Sequence, residues 1–138
     1  MSEPLPDGMS AEVADLAGRL FDLARAGAPE LLSYVDAGAP VDLTNGSGDT
    51  LVMLAAYHGH PLLVRGLVER GADADRANLR GQVPLAGAVF KGEHEVVHAL
   101  VEAGADPDAG TPTAREAATM FAPELLDLLP PSAPDRGA

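Results

Sequence analysis

The chain contains no cysteine, which excludes disulfides, cysteine-ligated zinc and thiol nucleophiles together. It also has no tryptophan and no isoleucine, and aromatic residues make up 4% of its 138 positions. Alanine, leucine and valine must then fill the core, a set that suits thin, closely stacked helices better than a bulky sandwich. Basic residues are scarce: 9 Lys and Arg stand against 21 Asp and Glu, a formal charge of −12, and Lys91 is the single lysine. A polyanion is a poor partner for such a surface, so nucleic acid and anionic membranes are disfavoured. No apolar run approaches the roughly 18 residues of a membrane helix. The opening Met1-Ser2-Glu3-Pro4-Leu5-Pro6 has neither the basic nor the apolar region of a secretory signal. The expectation is a cytoplasmic chain, and at about 150 residues per domain it forms one domain.

What the chain does have is a repeat. Residues 48–75, GDTLVMLAAYHGHPLLVRGLVERGADAD, align with residues 81–108, GQVPLAGAVFKGEHEVVHALVEAGADPD. Glycines fall at 48, 59 and 71 in the first and at 81, 92 and 104 in the second, each 33 apart. The same shift pairs Ala55 with Ala88, Leu67 with Leu100 and Asp73 with Asp106. Weaker copies flank the pair, both carrying Ala-Pro-Glu-Leu-Leu (28–32 and 122–126) at the start of their second half. Terminal copies of a stacked array are expected to deviate, because their outer faces meet water. Within a unit the signals are those of two antiparallel helices. Thr50 can cap the first, Gly59 permits a tight turn, Pro61 opens the second and Gly71 ends it. Asn45-Gly46 and Asn78 are turn formers in the connections.

These residues resemble the ankyrin repeat: residues 50–56 match its T-P-L-H-x-A-A start, followed by Gly59-His60 and residues 71–75, and again Pro84-Leu85, Ala88, Gly92 and residues 104–106. Departures are Leu51, Met53, Val83 in place of the capping Thr, and Gly87 inside a helix. The last connection is shorter, 104 to 113 against 71 to 83. The resemblance implies an all-α solenoid of about four helix-turn-helix units (11–44, 45–77, 78–109 and 110–129) with short hairpin-like finger loops. Tails at 1–10 and 130–138 are expected to be disordered.

One motif competes with a purely binding role. His94-Glu95-Val96-Val97-His98 spells H-E-x-x-H on a helical segment, the spacing with which metalloproteases place two zinc ligands and a catalytic glutamate. A zinc hydrolase is the alternative it raises. Against it, Val96 and Val97 pair by 33 with the apolar Leu63 and Val64, no His follows, and a third ligand would have to come from another unit. Asp73-Ala74-Asp75-Arg76-Ala77-Asn78 resembles a calcium loop but lacks its Gly and Glu positions. Gly46-Ser47-Gly48 has no G-K-[ST] after it, and no serine has a nucleophile-elbow context. No enzyme activity, metal or cofactor is expected.

The ankyrin resemblance implies a protein partner, bound by the finger loops and the concave side of the first helices; an inhibitor or immunity-type protein is a variant of that role. The implied positions form two rows, Arg25, Tyr57, Phe90 and Met120, then Ala26, His58, Lys91 and Phe121. The candidate partner-binding set is Arg25, Asn45, Ser47, Asp49, Tyr57, His58, Leu79, Arg80, Gln82, Phe90, Lys91 and Met120 on a chain that is monomeric by itself. Tyr57 and Phe90 are either exposed anchors or partial core. The acidic total suggests a partner with a basic rim.

Overall fold

First helices begin where a hydroxyl side chain reaches back to an unpaired backbone N–H. Ser10 accepts from the Val13 amide at 3.2 Å, Thr50 from that of Met53 at 3.1 Å and Thr113 from that of Glu116 at 3.0 Å. In the computed structural model, which describes residues 10–132, they open α1 (Ala11–Ala26), α3 (Leu51–Tyr57) and α7 (Ala114–Phe121). Glu116 returns the bond to the Thr113 amide at 2.9 Å, completing a capping box. Val83 caps nothing, and α5 (Pro84–Phe90) starts instead on a proline, whose missing N–H removes one unpaired donor. Second helices α2 (Glu30–Asp36), α4 (Pro61–Glu69) and α6 (His94–Glu102) run back along them.

Gly71 ends α4 at φ 95, sending its amide to Val68 O while the Ala72 amide reaches Leu67 O. The arrangement recurs 33 residues later at Gly104, with bonds to Val101 O and Leu100 O. Repetition of the cap, and not only of the helices, keeps each connection in phase with the next.

The helices stack as expected for an all-α repeat solenoid. Each of α3 and α5 packs against the first helix before and after it, and α4 packs against α6. Leu67, Leu85, Ala88 and Leu100 have no exposed surface, and neither have Ala55 and Ala118, whose small side chains let neighbouring first helices approach closely. Val96 and Val97, the middle of the H-E-x-x-H motif, are fully buried too. Among the described residues no buried side-chain polar atom lacks a partner.

Two departures from the regular unit lie at the C-terminal end, one in the last helix and one in the finger that the short connection had already left open. The eighth helix is a 3₁₀ segment, Pro123–Leu128, and not an α-helix; it is a short piece that packs mainly against α7 and α6. The last finger is cut back to a turn at Gly110-Thr111-Pro112, although the Thr111 amide still bonds Gly81 O at 2.9 Å. The tails at 1–10 and 130–138 lie mostly outside the described residues. At their edges, Ser10 caps α1 and the Pro130 carbonyl accepts from Arg115 at 2.6 Å.

Aspartates stitch the units together. Asp42 accepts from the Asp73 amide at 2.9 Å, and Asp75, 33 residues on, accepts from the Asp106 amide at 2.8 Å. Asp73 and Asp106 each accept an amide two residues ahead, from Asp75 and Asp108. The calcium-like spacing is therefore occupied by backbone donors. Asp108, next in the series, instead pairs with the Arg115 side chain of the last unit at 2.9 Å.

Candidate interaction surface

The fingers are built by asparagine. Asn45 Oδ1 accepts from the Ser47 and Asp49 amides at 2.9 and 3.0 Å, and Asn78 Oδ1 from those of Arg80 and Gln82 at the same distances. Around Asn45 the strands meet in one isolated bridge, Thr44 to Thr50, so each finger is a turn and not a sheet. Gly48, at φ 79, is required twice over: a Cβ there would also stand 2.9 Å from the Leu79 amide nitrogen. That amide bonds Ser47 O at 3.0 Å, and Asn78 Nδ2 reaches Asp49 Oδ1 at 2.8 Å, so the fingers brace each other.

The first helices supply the face beside the fingers. Counting from Thr50, Val83 and Thr113, the seventh residue on is Tyr57, Phe90 or Met120 and the eighth is His58, Lys91 or Phe121. Each eighth side chain lies across the seventh of the preceding unit. Lys91 Nζ stands 4.9 Å from the Tyr57 ring centroid, and the Phe121 ring meets Phe90 edge-on at 5.2 Å and 87°. His58 shares a wall with Arg25 of the first unit in the same sense. Among the described residues no unit follows Met120 to cross it.

Tyr57 is 38% exposed, Phe90 56% and Phe121 57%, so these rings form an open diagonal row and not a core seam. They border two hollows. One, of about 380 Å³, gathers Arg25, Asn45, Ser47, Asp49, Tyr57, His58, Arg80 and Gln82 from the candidate set, with Met53, Leu54 and Asn78. The other, of about 230 Å³, is an apolar slot with Met53, Tyr57, Gly87, Phe90, Pro112 and Phe121 around it. Lys91 is tied to both through the Tyr57 ring.

Two candidates stand apart. Leu79 is exposed at the finger tip, where it contacts the neighbouring finger at Gly48. Met120 lies beside Asp108, Arg115 and Thr119 on the end of the stack. Phe121, absent from the candidate set, takes the place foreseen for Met120. Met53 and Gly87 were also missed: in the sequence they read only as departures from the repeat, and in the structure they line the slot.

The face has its own electrostatics. The His58 imidazole is held below its usual pKa by burial first and then by the positive charges of Arg25, His60 and Lys91. Arg25 touches Asp22 in an exposed pair at 3.0 Å, while Arg80 and Lys91 form no ion pair among the described residues. On the second helices Arg65 pairs with Glu102 at 3.1 Å and Arg70 with Asp36 at 2.8 Å.

His94, Glu95 and His98 lie on the exposed side of α6, and His98 Nε2 is engaged 2.6 Å from Glu102 Oε1. Among the described residues no three His, Asp or Glu side chains are gathered as a metal-holding group. Nor is any described helix long and apolar enough to cross a membrane.

A family model for ankyrin repeats, in three copies, matches residues 20–111. A protein of Pseudomonas aeruginosa named as an ankyrin repeat protein is 43% identical over 63 residues, 45% of this chain and 36% of that protein. The chain thus spans about a third of the length of this curated relative.

Proposed function

The chain belongs to the ankyrin-repeat family, whose members generally act as protein–protein interaction modules, and from that premise we propose that it binds a protein partner through the concave face and the first two fingers, without chemistry of its own. The observation that supports this most directly is the row of Tyr57, Phe90 and Phe121, exposed across three consecutive units. Aromatic side chains dominate binding energy at interfaces, and a contiguous exposed apolar row marks an interaction surface. In this reading the protein is a cytoplasmic monomer that meets its partner as a preformed surface.

Cross-linking in cells tests it. A photoreactive residue at Phe90 should capture a discrete partner, whereas one at His94 on the opposite side should not. Equal capture at the two positions, or none at Phe90, would remove the concave face from the reading.

A further inference from the structure

The chemistry of the partner can be read from a conflict between total and local charge. The chain carries −12 overall, yet its concave face is cationic. Arg25 and Arg80 line the larger hollow, and Lys91 sits above the Tyr57 ring between the hollows. Among the described residues Asp49 is the single carboxylate lining either one, and Asn78 Nδ2 already bonds it at 2.8 Å. The His58 pKa is lowered first by burial, and the positive charges of Arg25, His60 and Lys91 add to that shift in the same direction. Arg80 and Lys91 form no ion pair among the described residues and Arg25 has only the exposed Asp22 at 3.0 Å, whereas Arg65, Arg70 and Arg115 are each paired with a carboxylate at a unit junction.

The apolar slot narrows the partner further. Its volume of about 230 Å³ lies below the roughly 300–1,000 Å³ of sites for small molecules. It suits a single large side chain entering between Tyr57 and Phe90. Gly87 makes that entry possible, because a Cβ there would already touch Met53 Cε and Tyr57 Cδ1, each at 3.5 Å.

We propose that the concave face recognises an acidic peptide segment of a partner protein, with one large apolar side chain in the Tyr57–Phe90 slot and flanking carboxylates on Arg80, Lys91 and Arg25. The net charge alone suggested a basic rim on the partner, and the local arrangement reverses that sign. Charge complementarity of this kind sets specificity and association rate, while the slot supplies the anchor. The inference rests on the reading of this face as the partner-binding surface.

The test selects binders to the whole chain from a displayed library of random peptides and measures their affinities for variants whose melting temperatures are recorded in parallel. Enriched peptides should carry Asp or Glu on both sides of a Leu, Met, Phe, Tyr or Trp. Phe90→Ala should weaken them about tenfold or more, as should the double charge reversal Arg80→Glu with Lys91→Glu, and added salt should weaken the unaltered chain. Basic or uncharged peptides that still lose affinity in Phe90→Ala overturn the acidic partner and leave the binding face standing. Peptides indifferent to both Tyr57→Ala and Phe90→Ala overturn the two together. Absence of any enrichment overturns the proposal, and so does self-association abolished by Phe90→Ala, which would assign the face to a second copy.

Discussion

Two glycines lie within helices of this chain at positions where the same substitution should have opposite outcomes. Gly87 is central in α5 and Gly66 in α4. Alanine is favoured over glycine inside a helix by about 1 kcal/mol, and that gain is common to both. The surroundings differ. A Cβ on Gly87 would meet Met53 Cε and Tyr57 Cδ1 at 3.5 Å, ordinary contact that displaces nothing. A Cβ on Gly66 would fall 2.6 Å from Leu32 Cδ1 and 3.0 Å from its Cδ2, so the leucine must leave its place between the second helices. Overpacking of this sort costs about 1–3 kcal/mol. Gly87→Ala should therefore stabilise by about 0.5–1 kcal/mol, and Gly66→Ala should be neutral or destabilising by up to about 2 kcal/mol. Urea unfolding of both variants beside the unaltered chain, with slopes compared, reads the difference. Gly66→Ala as stable as Gly87→Ala would show that Leu32 is not held where the structure puts it. Gly87→Ala should also narrow the slot, giving a more stable protein that binds its partner less well.

Leu100→Ala, in a fully buried site, should lower stability by about 2–5 kcal/mol, whereas His94→Ala on the exposed side of α6 should leave the melting temperature nearly unchanged. Comparable losses from the two would contradict the burial pattern. The hydrogen bond from Arg115 holds the Asp108 carboxyl below its usual range, as those from Arg70 and Arg65 do for Asp36 and Glu102. A carboxylate whose folded pKa is lowered favours the fold above its unfolded value, and that contribution disappears as pH falls through the folded one. Asp108→Asn should thus lower the melting temperature at pH 7 and make no difference well below the ordinary carboxylate value of about 4. Asp75 runs the other way: burial foremost, then the Asp106 and Asp73 charges, raise it against the pull of the Asp106 amide. Its ionised form opposes folding once the pH rises through that raised value, so Asp75→Asn, which keeps the acceptor, should raise the melting temperature at pH 7 and lose this advantage in acid. A lower melting temperature at pH 7 would mean that the charge itself is needed.

How far the sequence carries depends on whether a feature belongs to one unit or to two. Thr50, Thr113 and Gly71 act within a few residues of themselves, and the caps expected of Thr50 and Gly71 form as their chemistry requires. Leu67 and Leu100 are buried because each unit repeats its neighbour, so a shift of 33 identifies the core. The interaction face obeys no such shift. Matching equivalent positions ties Phe90 to Met120, since each is seventh in its helix. The surface is made by residues offset by one: the eighth side chain of a unit crosses the seventh of the unit before it, as Lys91 does over Tyr57 and Phe121 over Phe90. Met120 is 69% exposed because, among the described residues, no further unit lies across it. Equivalence along a chain names positions, whereas contact across a stack depends on how one helix is advanced over the next, and no single unit encodes that advance. The slot illustrates the same limit. Met53 and Gly87 look like losses to the repeat taken separately, one an unusual residue and the other a weak point in a helix. Brought together across two units, they line an opening between two rings. A departure from the repeat is thus informative only when the residue it meets in the adjacent unit is considered with it, because a binding surface on a stacked fold consists of the differences between units and not of what they share.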